Sequence, residues 1–124
     1  MSASKRPKVL VVDDEQVIAD TLAKILDIHG YDASAVYSGL AAIDSARSLR
    51  PDLIISDVIM NDMDGISAAI RIRDFLPECK ILLFSGQAAT ADLLENARSQ
   101  GHDFEILAKP VHPTELLAKL KLAG

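Results

Sequence analysis

Five short apolar segments alternate along the chain with segments of helical periodicity. Three of them, residues 9–12, 53–55 and 81–84, are continuous runs rich in β-branched or large aliphatic side chains. Such runs are typical of strands that are buried on both faces. Residues 32–36 and 104–108 are more polar, which is typical of strands at the edges of a sheet.

The segments between these predicted strands repeat apolar residues every three or four positions, which is the spacing of one helix face. Five helices are therefore predicted, and Ser38 is a suitable N-cap for the second. Pro113 lies in the first turn of the fifth, where proline is tolerated. The stop signals of the first four helices are Gly30, Pro51, Pro77 and Gly101.

Strands that alternate with helices predict an α/β fold, with a doubly wound five-stranded parallel sheet and helices on both faces. No linker-like segment rich in proline, glycine and serine divides the chain. We therefore expect residues 1–124 to form a single domain, with a flexible segment at residues 1–7.

Composition narrows the class of protein. The chain has 124 residues, of which 49% are hydrophobic and 25% charged, and its net charge is −5. An acidic surface repels nucleic-acid phosphates, so direct nucleic-acid binding is not expected. We see no signal peptide and no apolar run long enough for a membrane span, and expect the cytoplasm. Cys79 is the only cysteine, and we interpret it as an inert thiol.

Polar residues follow the predicted strands at the points where ligands bind in open parallel sheets, outside the carboxyl ends of the strands. They combine carboxylates, hydroxyls and an ammonium group at one edge of the sheet. The residues at these ends are Asp13, Asp14, Glu15, Ser56, Asp57, Ser85 and Lys109.

Four of these residues also have a purely structural interpretation. Asp14 could cap the first helix. Asp57 and Lys109 could be ordinary loop or surface residues, and Ser85 a turn residue. Their shared location at the ends of the first, third, fourth and fifth strands favours a common function over four separate coincidences.

Oxygen ligands and crowded negative charge predict a hard divalent cation, Mg²⁺, which takes few protein carboxylates and keeps several waters. Zinc is not expected, because no suitably spaced cysteines or histidines are present, and we interpret His29, His102 and His112 as structural. Mg²⁺ beside a lysine forms a phosphate site. Asp57 could then act as a nucleophile toward phosphorus, while Lys109 offsets charge on the phosphoryl oxygens and Ser85 donates a hydrogen bond to one.

At this point the sequence resembles the receiver domains of two-component response regulators, and the resemblance covers nearly the whole chain. It is carried by four motifs in the family's order: Val-Val-Asp13-Asp14-Glu15, Ser56-Asp57-x-x-Met60-x-x-Met63-Asp64-Gly65, Ser85-Gly86 and Lys109-Pro110. The resemblance implies a flavodoxin-like strand order 2-1-3-4-5. Since the resemblance covers nearly all of the 124 residues, we expect the chain to be similar to stand-alone receivers of the chemotaxis type.

The resemblance also implies roles for individual residues. Asp57 takes a phosphoryl group from a sensor histidine kinase or a phosphotransfer protein. Asp13, Asp14, Asp57 and the backbone carbonyl of Ile59 hold Mg²⁺. Lys109 contacts the phosphoryl group, and Ser85 follows it during activation. The output surface is formed by the fourth helix, the fifth strand and the fifth helix.

Two positions depart from the family's pattern. Asn61 stands where proline is common, which could loosen the loop after Asp57. Ile106 stands where many members have Tyr or Phe, and Phe104 lies two residues earlier on the same side of the predicted strand. We expect Phe104 or Ile106 to repack on activation, and Ile59 and Gln87 to set the lifetime of the phosphoryl group.

Two rival functions share these residues. A Mg²⁺-dependent aspartyl phosphatase would use the same chemistry, but such enzymes typically carry Asp-x-Asp after the first strand, whereas here the acids are adjacent. A phosphate-independent interaction module would not need the acids, the hydroxyl and the lysine. We therefore expect a signalling phosphoacceptor and not a metabolic enzyme. The kinase, the downstream target and a homodimer are left open by the sequence.

Overall fold

The computed structural model describes residues 6–86, 90–108 and 112–123. Five strands and five helices alternate as the sequence predicted. The strands are β1 (Lys8–Val12), β2 (Asp32–Val36), β3 (Leu53–Asp57), β4 (Lys80–Ser85) and β5 (Glu105–Ala108). The helices are α1 (Gln16–Ile28), α2 (Gly39–Leu49), α3 (Gly65–Phe75), α4 (Thr90–Ser99) and α5 (Pro113–Ala123).

All strands are parallel and lie in the order β2-β1-β3-β4-β5. The predicted strand order and the placement of the two polar strands at the edges are both confirmed. The third and fourth strands run one to two residues further than predicted, so that Asp57 and Ser85 are the last residues of β3 and β4. Phe104, in contrast, precedes β5.

Successive side chains of a strand point to opposite faces of the sheet, and each face has its own core. Val9 and Val11 of β1 pack with α1 and α5 on one face, through residues such as Leu26 and Leu116. Leu10 and Val12 pack with α2, α3 and α4 on the other face, through residues such as Ile72. The continuous apolar runs are therefore strands buried on both faces, as predicted.

Local signals determine where the helices begin and end. The Ser38 hydroxyl accepts a hydrogen bond from the Ala41 N–H at 3.0 Å, so the predicted N-cap of α2 is confirmed. Gly30 and Gly101 follow α1 and α4 with φ of 98° and 90°, a conformation that glycine adopts without strain. No helix within the described ranges is both long and apolar enough to span a membrane.

Two further expectations concern residues away from the site. Residues 1–5 of the segment expected to be flexible lie outside the described residues. The Pro7 carbonyl accepts a hydrogen bond from the Asp32 N–H at 2.8 Å, which ties that end of the segment to β2.

Cys79 is buried, and its burial raises the pKa of the thiol to about 11, which favours the unreactive protonated form.

Candidate functional site

The pairing of β1 with β3 brings two aspartates together at the carboxyl edge of the sheet. Val12 lies level with Ser56 in the parallel register, so Asp13 and Asp57 extend from neighbouring strand ends. Asp13 is fully buried and Asp57 is 6% exposed. Buried carboxylates are uncommon unless hydrogen bonds or a cation compensate for lost hydration, so this pair marks a candidate site.

Asp14 completes a group of three carboxylates. Asp13, Asp14 and Asp57 each offer one oxygen, and these oxygens lie within 4.8 Å of one another. Asp14 is half-buried, so the group opens toward solvent on its side. A hard cation that prefers oxygen ligands and retains some of its water fits this donor set, and Mg²⁺ is such a cation. The acidic cluster predicted from the sequence is therefore present.

The start of α1 rules out the structural alternative for Asp14, in which this residue caps the helix. α1 begins at Gln16 with Glu15 at the N-cap position, so Asp14 is not the capping residue. Glu15 precedes the first helical turn, and its side chain makes no capping hydrogen bond. Instead, the Glu15 N–H donates to the Asp13 carboxylate at 3.0 Å, which orients that side chain before the helix starts.

Gly65, the first residue of α3, lies directly against the backbone of the predicted phosphoacceptor. A Cβ atom at this position would be 2.1 Å from the Asp57 carbonyl oxygen and 3.1 Å from the Ser56 hydroxyl. The Gly65 N–H also donates to the Val58 carbonyl at 2.7 Å. Glycine is required here because the α3 backbone lies too close to the Asp57 backbone for a Cβ atom to fit between them. This contact places the start of α3 beside Asp57.

The loop between β3 and α3, residues 58–64, carries two residues of interest. The Ile59 side chain is 43% exposed, and its backbone carbonyl is the one expected to contact Mg²⁺. Asp62 was not singled out from the sequence. Its carboxylate accepts the N–H groups of Gly39 at 3.0 Å and Leu40 at 2.9 Å. Because these partners lie in another part of the chain, no local pattern reveals the contact.

Ser85 lies on the neighbouring strand end, as predicted. It is half-buried, ends β4 and lies level with Ala108 of β5. Lys109 and Gln87, which we expected beside the phosphoryl group, lie outside the described residues.

The two candidates for repacking, Ile106 and Phe104, differ in position. Both pack against the core shared with α2, α3 and α4, which confirms that they point to the same side. Ile106 lies level with Leu83, two residues from the rung of Ser85. Phe104 is four residues from that rung and precedes β5. The Arg73 guanidinium also lies 4.2 Å from the centre of the Phe104 ring. This geometry favours Ile106 over Phe104.

Comparisons with known proteins identify the family of the chain. The family described as "Response regulator receiver domain" matches residues 9–121. The chain is 32% identical to the probable transcriptional regulatory protein TcrX of Mycobacterium tuberculosis, over 91% of this chain and 47% of that protein. It is 30% identical to the DNA-binding response regulator MtrA of Mycolicibacterium paratuberculosis, over 94% of this chain and 50% of that protein.

A solved structure has the same fold as this chain. The chemotaxis protein CheY4 of Vibrio cholerae superposes with a TM-score of 0.83 at 28% identity, covering 94% of this chain and 98% of that one. The chain is thus similar in extent to this chemotaxis protein. It spans about half the length of the two curated relatives.

The contact at Gly65 predicts a sensitivity of the site to one added methyl group. Gly65→Ala should lower the free energy of unfolding by about 1–3 kcal/mol, the usual cost of overpacking. It should also weaken Mg²⁺ binding, because the added Cβ displaces the Asp57 backbone. Urea denaturation and calorimetric Mg²⁺ titration would measure the two effects.

Gly30→Ala is the matched control for Gly65→Ala, since Gly30 has φ of 98° and open space around its Cβ position. Gly30→Ala should lower the free energy of unfolding by about 1–2 kcal/mol through backbone strain alone. It should leave the Mg²⁺ affinity unchanged. Wild-type stability and Mg²⁺ affinity in Gly65→Ala would contradict the steric argument.

The adjacent acids Asp14 and Glu15 should differ in their effect on the metal. Asp14→Asn is expected to weaken Mg²⁺ binding about tenfold or more, since removing even an outer partner of a metal site typically costs that much. Glu15→Gln removes the same charge one residue away, outside the group of three carboxylates, and should have a smaller effect. Calorimetric titration of both variants would compare them, and equal losses would show that only net charge matters.

Proposed function

This chain belongs to the response regulator receiver domain family, and we propose that it is a phosphorylation-dependent switch whose Asp57 accepts a phosphoryl group. The observation that carries this proposal is the group of three carboxylates, Asp13, Asp14 and Asp57, with oxygens within 4.8 Å at the end of the sheet. Receiver domains are phosphoacceptors in two-component signalling, and such a group supplies both a nucleophile and ligands for a cation.

Asp57 is the proposed nucleophile. A carboxylate oxygen forms a bond to phosphorus while the phosphorus–nitrogen bond of a kinase phosphohistidine breaks. The imidazole nitrogen leaves with the electron pair of that bond and takes up a proton from solvent. Asp57 is 6% exposed at the end of β3, with its backbone held against Gly65. The burial limits access of water, and the strand fixes the direction of attack.

Asp13, Asp14, Asp57 and the Ile59 carbonyl would hold Mg²⁺. When bound, the ion supplies positive charge that offsets the negative charge of the phosphoryl oxygens. Asp13 is oriented by the Glu15 N–H, as described above. Lys109 is proposed to contact the same oxygens, and Ser85 to donate a hydrogen bond to one of them. Ile59 and Gln87 are proposed to tune hydrolysis of the acyl phosphate.

Signal output is proposed to occur on the surface formed by α4, β5 and α5. Movement of Ser85 toward the phosphoryl group would shift the end of β4 and its neighbour in β5, and Ile106 would repack in the space released. This surface carries the ion pairs Arg98–Asp103 and Lys119–Glu105. Exposed pairs of this kind contribute little to stability, so a partner could replace them at low cost.

The proposed partners are a sensor histidine kinase or phosphotransfer protein upstream and a protein target downstream. MtrA is named a DNA-binding response regulator, and this chain covers 50% of it. We propose that the receiver itself does not contact nucleic acid, since its net charge is −5. Because the chain covers only 50% of MtrA, the DNA binding in MtrA's name is not transferred to this chain.

No observation favours the two rivals. An aspartyl phosphatase would be expected to belong to a different family from the one that matches residues 9–121. An interaction module without phosphate chemistry would have no need for three converging carboxylates, whose mutual repulsion is unfavourable.

Phosphorylation of Asp57 is tested by intact-mass analysis after incubation with Mg²⁺ and a small phosphodonor such as acetyl phosphate. The wild type should gain one phosphoryl group only when Mg²⁺ is present. Asp57→Asn should gain none, because the amide is a poor nucleophile. Asp44→Asn, the same change on the exposed side of α2, should be labelled like the wild type. Labelling of Asp57→Asn at the wild-type level would refute the assignment.

Switching is tested by the amide chemical shifts of the phosphorylated protein. Activation should move the signals of Ser85 and Ile106 as well as those around Asp57. Ser85→Ala removes the hydroxyl, so it should reduce the shifts along β5 while Asp57 is still phosphorylated. If the shifts of the wild type are confined to residues near Asp57, no such switch operates.

A further inference from the structure

The loop at residues 58–64 is held firmly at both ends. At its start the Val58 carbonyl accepts the Gly65 N–H at 2.7 Å, which closes the loop on itself. At its end Asp64 caps α3 by accepting the Ser67 N–H at 2.8 Å. Between these points the sequence contains no proline to restrict the backbone. The middle of the loop, which follows Ile59, therefore depends on contacts with the rest of the fold.

Asp62 provides such a contact, to the start of α2. One carboxylate oxygen accepts the Gly39 N–H at 3.0 Å and the other accepts the Leu40 N–H at 2.9 Å. The first N–H groups of a helix have no partner within the helix and must be satisfied from outside it. Ser38 satisfies only the Ala41 N–H. Two further donors of this helix end are therefore satisfied by the β3–α3 loop.

The charge of Asp62 strengthens this link. A hydrogen bond from the Gly39 N–H is the main cause that lowers the pKa of the Asp62 carboxyl below its usual range. The ionised form, which any ordinary aspartate adopts at neutral pH, is thus further favoured. Hydrogen bonds to a carboxylate are stronger than neutral ones, and a negative charge at a helix N-terminus also interacts favourably with the helix dipole.

Packing at the same place shows how close the two segments are. A Cβ atom on Gly39 would lie 2.3 Å from Cγ of Met63 and 3.5 Å from an Asp62 carboxylate oxygen. A side chain on residue 39 would therefore require the Met63 side chain to move. The close packing is therefore between Gly39 and the Met63 side chain, next to the hydrogen bonds that Asp62 accepts from Gly39 and Leu40.

We propose that Asp62 is a positioning residue that holds the β3–α3 loop, and with it the Ile59 carbonyl, in the geometry required for Mg²⁺ binding and phosphoryl transfer at Asp57. Asp62 acts through the start of α2, which serves as a fixed anchor beside the acidic site. This inference rests on the function proposed for Asp57. It assigns to Asp62 a role separate from the three carboxylates that would contact the ion.

The competing explanation is that Asp62 merely stabilises α2. Ser38→Ala is the matched control, because it removes a hydrogen bond from the same helix end without touching the loop. Both Asp62→Ala and Ser38→Ala should lower the melting temperature. Only Asp62→Ala should weaken Mg²⁺ binding, by about tenfold, the low end of the effect of outer partners at metal sites. Asp62→Asn keeps one acceptor oxygen and should lie between wild type and Asp62→Ala.

Three measurements on the full chain decide between the explanations: calorimetric Mg²⁺ titration, the rate of Asp57 phosphorylation by acetyl phosphate, and hydrogen exchange of the Gly65 amide. Asp62→Ala should slow phosphorylation at limiting Mg²⁺ and speed exchange of the Gly65 N–H, and Ser38→Ala should change neither. Equal effects of Asp62→Ala and Ser38→Ala on all three would overturn the inference.

Failure of the proposed function gives a different result, in which the wild type itself binds no Mg²⁺ and takes no phosphoryl group. Hydrogen exchange at Gly65 then still reports whether Asp62 positions the loop. If Asp62→Ala does not fold, Asp62→Asn supplies the comparison. Wild-type Mg²⁺ affinity and Gly65 exchange in Asp62→Asn would also count against the inference.

Discussion

The pairing of β1 with β3 is the constraint on which the acidic site depends. Three carboxylates with oxygens within 4.8 Å repel one another, and this repulsion is stronger near buried surroundings than in bulk water. They are kept together because the two strands are paired from Val9 and Leu53 to Val12 and Ser56. Both strands are buried in cores on each side of the sheet. Apolar packing therefore opposes charge repulsion at the edge, and a divalent cation would relieve that repulsion.

Backbone groups at the starts of three helices contact the acidic site or the β3–α3 loop beside it. Glu15, the residue that directly precedes α1, donates its N–H to the Asp13 carboxylate. The first residue of α3, Gly65, lies against the Asp57 carbonyl. The start of α2 donates two N–H groups to Asp62. Backbone groups have few conformational choices, so they hold side chains and loops with less entropy loss than long side chains would. The site is consequently built on rigid elements.

The β4–β5 ladder is the route proposed for signal output, and its two ends differ. Near the site, Ser85 is level with Ala108, and Ile106 lies only two residues away. At the other end, Phe104 is packed under Arg73 and beside His102. An aromatic ring held between two neighbours would lose those contacts on moving, whereas Ile106 is half-buried and can repack locally. Coupling through Ile106 would thus rest on packing, since an aliphatic side chain has no polar group to form a hydrogen bond.

The sequence alone determined the alternation of strands and helices, the polar edge strands, the Ser38 cap and the acidic residues at the strand ends. These follow from local periodicity and from the rule that parallel strands end at one edge. The strand order came from family resemblance. Tertiary structure decided that Glu15 precedes α1, that Phe104 lies outside β5 and that Asp62 binds α2. The Asp62 contact joins residues 23 positions apart. No local pattern could reveal it, because its partners are backbone N–H groups that every residue except proline carries and only the fold brings within reach.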